Sequence, residues 1–191
     1  MKKLLVLDLD ETLIHARETP LERAADFMVF DYSIYRRPYL SAFLAFCDAH
    51  FAVAVWSSAS DDYVQAVVPQ IFAQPERLVA VWGASKTTIR RSYPGDCDRF
   101  GQPLPDYHDQ KRLQKLTSLG WALDNMLIVD DSHEKCSVNY GNAIYPAPYY
   151  GDLADDELRY LAGYLHSIKD SERIRRLEKR GWRGAAVPMR W

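Results

Sequence analysis

The chain has 191 residues, 48% of them hydrophobic, and a formal net charge of -2. That supports one substantial core and leaves little for a second domain, and so balanced a charge provides no general field for holding nucleic acid or an anionic membrane. Three widely spaced cysteines, Cys47, Cys97 and Cys136, form no CxxC pair, which argues against a disulfide framework or a zinc finger and for a reducing compartment.

The opening MKKLLVLD has a basic flank and an apolar run, as secretory signals do, but Asp8 cuts the run far short of a signal or membrane span. The chain is therefore read as soluble and cytoplasmic. Residues 3–9 instead form a short continuous apolar run, the pattern of a strand buried on both faces of a parallel sheet. RPYLSAFLAFCDAH predicts a helix, with Pro38 placed for its first turn and Leu40, Phe43, Leu44 and Cys47 forming one apolar stripe. FAVAVW over residues 51–56 predicts the next strand. SSASDDYVQAVVPQIF opens with hydroxyl and acidic residues suited to an N-cap and carries Tyr63, Val64 and Val67 on one face until Pro69 disturbs it.

LVAVW over 78–82 predicts a further strand. The stretch 83–109, rich in Gly, Pro, Asp and Arg, predicts an insertion with a small hairpin, on which Arg90 and Arg91 are solvated rather than a substrate clamp. QKRLQKLTSLG predicts a helix ended by Gly120, MLIVD over 126–130 a strand, and NAIYP over 142–146 a weaker one. DLADDELRYLAGYLHSI predicts a helix through Leu153, Leu158, Leu161, Tyr164 and Leu165, and ERIRRLEKRGWR a short basic amphipathic helix. The alternation implies an open, mostly parallel α/β sheet with helices on both faces, one domain over residues 1–170, and a C-terminal basic helix and tail over 171–191.

In such sheets ligands bind beyond the carboxyl ends of the strands, and Asp8, Ser57 and Asp130 each fall at or just past such an end. Asp8 and Asp10, two apart in an extended segment, point the same way. With Asp130 and Asp131 arriving from another strand, the carboxylates repel one another unless a cation sits among them, and an all-oxygen set suits Mg²⁺.

Asp8-Leu9-Asp10-Glu11-Thr12 matches a DxDxT motif, and with Ser57, Lys111 and Asp130-Asp131 following in order the chain resembles the haloacid dehalogenase superfamily. Within it, LVLDLDETLIH, RPYLSAFL, VWSSAS, KRLQKL, LIVDDS and GNAIYPAPYYGD resemble the FCP/SCP-like phosphatases, the NLI-interacting-factor family, whose members include enzymes that dephosphorylate the RNA polymerase II C-terminal tail. The resemblance covers roughly residues 3–165.

The resemblance implies a Rossmannoid three-layer fold with a small insertion between the second and third motifs and no large cap. It implies Asp8 as nucleophile, forming an aspartyl-phosphate, and Asp10 as the acid and then the base, which disfavours dehalogenation. Thr12 is expected to fix the loop. Ser57, with Ser58 as alternative, would bind phosphoryl oxygens together with helix N-terminal amides, and Lys111, with Lys115 one turn later as alternative, would neutralise charge.

Mg²⁺ would be held by the Asp8 carboxylate, the Asp10 carbonyl and the Asp130-Asp131 pair, Asp131 being favoured and Asp130 beside it or reached through water. The chain departs from the family pattern at His133, where Pro is usual, at Glu134, and in a longer segment between Lys111 and Asp130; His133 is read as a loop histidine. The expected function is Mg²⁺-dependent phosphomonoester hydrolysis on a phosphoserine or phosphothreonine protein, with no membrane partner and no strong nucleic-acid signature. The alternatives are a phosphatase of small molecules or nucleic-acid ends, and a non-catalytic binding module.

Overall fold

The computed structural model describes residues 2–98 and 100–191. Its first strand, β1 (Leu4–Leu7), is fully buried, as its unbroken apolar run requires. Next come β2 (Ile14–Arg17), β3 (Phe27–Val29) and β4 (Tyr32–Arg36), then α1 (Leu40–His50), β5 (Ala52–Trp56) and α2 (Asp61–Ile71), which carries Pro69. β6 (Val81–Trp82) precedes a hairpin of β7 (Thr88–Arg91) and β8 (Tyr107–Gln110). The chain continues through β9 (Met126–Val129), α3 (His133–Cys136), β10 (Ala143–Ile144), α4 (Glu157–Ile168) and α5 (Trp182–Ala185).

Five strands form a parallel sheet in the order β10-β9-β1-β5-β6, with β1 at its centre. The two-residue period of a strand divides the core: Leu5 and Leu7 join α1, α2 and α4 on one face, while Leu4 and Val6 meet Leu113, Leu116 and Cys136 on the other. The result is the expected three-layer α/β architecture, and the β7–β8 hairpin is the expected insertion between the second and third motifs.

Between β1 and α1 stands a three-stranded antiparallel sheet, β2-β4-β3, for which the sequence reading has no element. Its strands are three to five residues long with mixed burial, too short for a period-two signal. It rises beside the end of β1.

Three expectations are corrected. Residues 110–120 do not make an α-helix but a 3-10 helix, Leu113–Leu119, which ends at Gly120 with φ 88. Leu113 and Leu116, three apart and both buried, align on one face when there are three residues per turn. Leu153 is exposed and outside α4, because the Asp152 and Asp155 carboxylates accept from the amides of Ala154 and Glu157 and hold the chain in turns until residue 157.

The basic helix over residues 172–183 is replaced by a 3-10 turn, Ile174–Arg176, and the short α5. Here the Lys179 ammonium donates to the carbonyls of Ile174 and Leu177, which a continuous helix would need for its own bonds, and to that of Gly141. Ile174 and Trp182 are buried in the main core. The tail can approach because residue 141 is glycine: its φ is +78, and a Cβ there would lie 2.3 Å from the Arg175 carbonyl oxygen.

Candidate active site

The carboxyl ends of β1, β5 and β9 deliver the predicted residues to one rim. The Asp8 amide donates to the Val129 carbonyl (3.0 Å), which fixes the end of β1 against β9. Lys111 lies fully buried beneath the rim, with Nζ 2.7 Å from Asp8 Oδ1 and 2.6 Å from Asp130 Oδ2. The alternative lysine is elsewhere: Lys115 Nζ donates to the carbonyls of Lys86 and Thr87, tying down the base of the insertion. Arg90 and Arg91 sit on the β7–β8 hairpin itself.

Each neighbouring carboxylate is separately anchored. Asp130 is engaged through both oxygens, Oδ2 by Lys111 and Oδ1 by the Ser132 amide (2.8 Å). The Asp131 amide donates to Thr12 Oγ1 (3.2 Å), whose hydroxyl faces Asp131 Oδ1 at 3.4 Å, so Thr12 ties the DxDxT loop to the DDS loop. Asp8, Asp130 and Asp131 each offer an oxygen, and these lie within 4.8 Å of one another. The set is all oxygen, as a small hard cation needs.

Asp10 turns away from that group. Its Oδ1 accepts from the Tyr63 hydroxyl at 2.8 Å and its Oδ2 faces Ser57 Oγ at 3.4 Å. Ser57 is buried and also accepts from the Ala59 amide, whereas Ser58 is only half-buried. The following helix starts later than Ser57, and its N-cap is Ser60, whose Oγ accepts from the Tyr63 amide. Asp10 and Tyr63 line a cavity of about 450 Å³ together with Glu11, Ala16, Phe30 and Tyr32. The unforeseen sheet β2-β4-β3 thus supplies one wall of the approach to the rim.

Crowding sets the electrostatics. Burial, and then the charge of Asp130, raise the pKa of Asp8; burial and Asp8 raise that of Asp10. Burial with the Asp8 and Asp130 charges pushes Asp131 up to about 7, and burial with Asp10 and Asp131 pushes Glu11 up to about 8. Lys111 stays charged: burial works against its ammonium, but Asp130 and Asp8 outweigh that and raise its pKa. Glu11 also holds strain, with φ 57 at a non-glycine residue, and faces His15 Nδ1 at 3.0 Å.

Three contributors were not singled out from the sequence. From its spacing Tyr63 reads only as a core residue of its helix. Arg37, fully buried, grips Asp155 through two nitrogens and donates to the carbonyls of Thr12 and Ala147, so it braces the DxDxT loop from behind. Its place in RPYLSAFL was the available signal. Lys135, on α3, is half-buried beside the carboxylates. Glu134 is not among the grouped carboxylates, and its Oε2 is buried without a hydrogen-bond partner. His133 is exposed and packs its ring on Tyr145, 4.7 Å between centroids.

A parallel sheet of this order, with DxDxT closing its central strand and a lysine between the two aspartates at neighbouring strand ends, defines the haloacid-dehalogenase-like class. The model of NLI interacting factor-like phosphatases matches residues 3–175, and the chain belongs to that family. Among its relatives are CTD small phosphatase-like protein 2 of Dictyostelium discoideum, 28% identical over 90% of this chain and 28% of that protein, and Nuclear envelope morphology protein 1 of Saccharomyces cerevisiae, 26% identical over 92% and 41%. The human CTD small phosphatase-like protein is 25% identical over 91% of this chain and 58% of its own.

The structure of the fission yeast RNA polymerase II CTD phosphatase Fcp1 bound to beryllium fluoride shares the fold, with a TM-score of 0.54 at 16% identity over 91% of this chain and 53% of that one. The chain therefore spans under two thirds of the length of each of these proteins. Among the described residues no helix is long and apolar enough to cross a membrane.

Proposed function

We propose that the protein is a Mg²⁺-dependent phosphomonoesterase that works through an aspartyl-phosphate on Asp8 and takes phosphoserine or phosphothreonine in a protein chain. The observation that carries this reading is the buried line Asp8–Lys111–Asp130, with Asp131 beside it and Asp10 held on the side of the open cavity.

In this reading Lys111 fixes the rotation of the Asp8 carboxylate by holding Oδ1, and keeps it anionic against its own burial. Asp8 attacks phosphorus, forming the acyl-phosphate bond as the bond to the leaving alkoxide breaks. Asp10, whose pKa is raised by burial and Asp8, carries the proton that the alkoxide takes. The resulting Asp10 carboxylate then takes a proton from the water that hydrolyses the acyl phosphate, which regenerates Asp8 and releases inorganic phosphate. Tyr63 and Ser57 hold Asp10 where both transfers occur.

Asp8 and Asp131, with the Asp10 carbonyl, would hold Mg²⁺, which would supply the charge neutralisation that lets an anionic nucleophile meet an anionic ester. The family's CTD phosphatases and the open cavity support a protein substrate, since the cavity's mouth admits a chain as well as a metabolite. Three cysteines without disulfides, buried Cys47 and Cys136 and exposed Cys97, support a reducing compartment, for which cytoplasm is our choice.

Two assays test the reading together. Hydrolysis of an aryl phosphate with Mg²⁺ should be lost in Asp8→Asn, and unchanged turnover in that variant would remove the nucleophile. Across phosphopeptides, nucleotide 3′-phosphates and sugar phosphates, phosphopeptides should turn over fastest; preference for either other class overturns the substrate assignment.

A further inference from the structure

Two lysines with buried ammonium groups are accounted for by their partners. Lys111 bonds Asp8 and Asp130, and Lys179 bonds three carbonyls. Lys135 differs. It lies on α3, four residues after Asp131, and its carbonyl accepts from the Lys111 amide at 2.8 Å, so its backbone is fixed directly beside the Lys111 strand end. Its side chain is half-buried, yet among the described residues its ammonium has no ion pair and no hydrogen bond. An ammonium withdrawn from water and left unbonded is costly unless a field or a ligand compensates it.

The field is there. Asp8 is the foremost charge holding the Lys135 ammonium protonated against its burial, with Asp130 and Asp131 behind it. Lys135 in turn lowers the pKa of Asp8, Asp10, Glu11 and Asp131. For Asp10 and Asp131 its influence exceeds that of Lys111, and Lys111 does not figure at Glu11. Lys111 thus sits beneath Asp8 and Asp130, and Lys135 lies in the field of the same carboxylates, Asp8 foremost, while Asp10 and Glu11 line the cavity.

We propose that Lys135 is a second phosphoryl-binding cation, whose three donors are left unpaired in the free protein to meet the non-bridging oxygens of the transferred group. It rests on the phosphatase reading above. A consequence separates this role from a purely structural one: the same ammonium repels a metal ion, so removing it should weaken anion binding and strengthen metal binding at once.

The experiment uses Lys135→Met, which keeps the stem and removes the charge, and Lys135→Arg, which keeps the charge, each checked for native fold by circular dichroism. Affinity for inorganic phosphate and for Mg²⁺ is read by calorimetry, and turnover of an aryl phosphate alongside. Lys135→Met should bind phosphate about ten- to a hundredfold more weakly, bind Mg²⁺ more tightly, and lose kcat; Lys135→Arg should retain most of the phosphate affinity. Unchanged phosphate affinity in Lys135→Met, even with tighter Mg²⁺, overturns the proposal and leaves Lys135 as a charge balancer. Parallel weakening of both ligands overturns it as well. A wild type without Asp8-dependent hydrolysis would instead sink the phosphatase reading on which it rests.

Discussion

Replacing Lys111 by Met removes a cation that touches both Asp8 and Asp130, at 2.7 and 2.6 Å, with all three side chains at most 2% exposed. Breaking a buried ion pair by removing one partner costs about 3–5 kcal/mol, because the remaining charge is left uncompensated. Here two carboxylates are stranded, so the upper end of that range is expected, a large part of the about 5–15 kcal/mol that holds a domain together.

The loss should also depend on pH. Burial and the charge of Asp130 hold the pKa of Asp8 above its unfolded value, so the folded form binds more protons, and the stability Asp8 contributes at low pH disappears as pH rises through the folded pKa. Urea denaturation of wild type and Lys111→Met should therefore show a larger deficit at pH 8 than at pH 5. Adding Asp130→Asn to Lys111→Met should recover part of it. A deficit below about 1 kcal/mol, or one equal at both pH values, would refute the picture of Lys111 as the buried counter-ion.

Other outcomes follow from the same geometry. Without metal, Asp131 and Glu11 titrate at about 7 and about 8, well above their unfolded values, so stability should fall as pH rises through 7 and 8. Mg²⁺ should then raise the thermal midpoint more at pH 8.5 than at pH 6, measured by scanning fluorimetry; an equal rise contradicts this. Tyr63→Phe removes a donor that favours ionised Asp10, so the basic limb of the kcat profile, where Asp10 loses its proton, should move to higher pH, with kcat reduced about tenfold. An unmoved limb would separate Tyr63 from Asp10. Arg37→Met strands Asp155 and frees the carbonyls of Thr12 and Ala147, and should cost about 3–5 kcal/mol by denaturation, with loss of turnover before loss of fold. Near-wild-type stability would show the brace to be dispensable.

The central sheet could be read from the sequence because β1, β5 and β9 are apolar on both faces, a pattern short helices do not share, and because acidic or hydroxyl residues fall at the strand ends. That placement brought Asp8, Asp10, Ser57, Asp130 and Asp131 into view without coordinates, and the family resemblance added Thr12 and Lys111. What stayed hidden depends on pairing at long range. Tyr63 and Asp10 are distant in sequence, and nothing in DDYVQAVV marks the hydroxyl rather than the ring as its function.

The sheet β2-β4-β3 is built from strands too short to show a period. The 3-10 helix at Leu113–Leu119 and the broken tail reflect tertiary bonds that override helical propensity, above all those of Lys179. Lys135 could have been noticed: in DDSHEK it closely follows the aspartate pair, a short reach for a cation toward the carboxylates.

The central claim is that Asp8 itself receives the phosphoryl group. Acid-quenching the protein during turnover of an aryl phosphate with Mg²⁺, followed by peptide mass spectrometry, addresses it directly. The account predicts phosphate on Asp8, released by hydroxylamine and absent from Asp8→Asn. Phosphate on another residue, or full turnover with Asn at position 8, would contradict it.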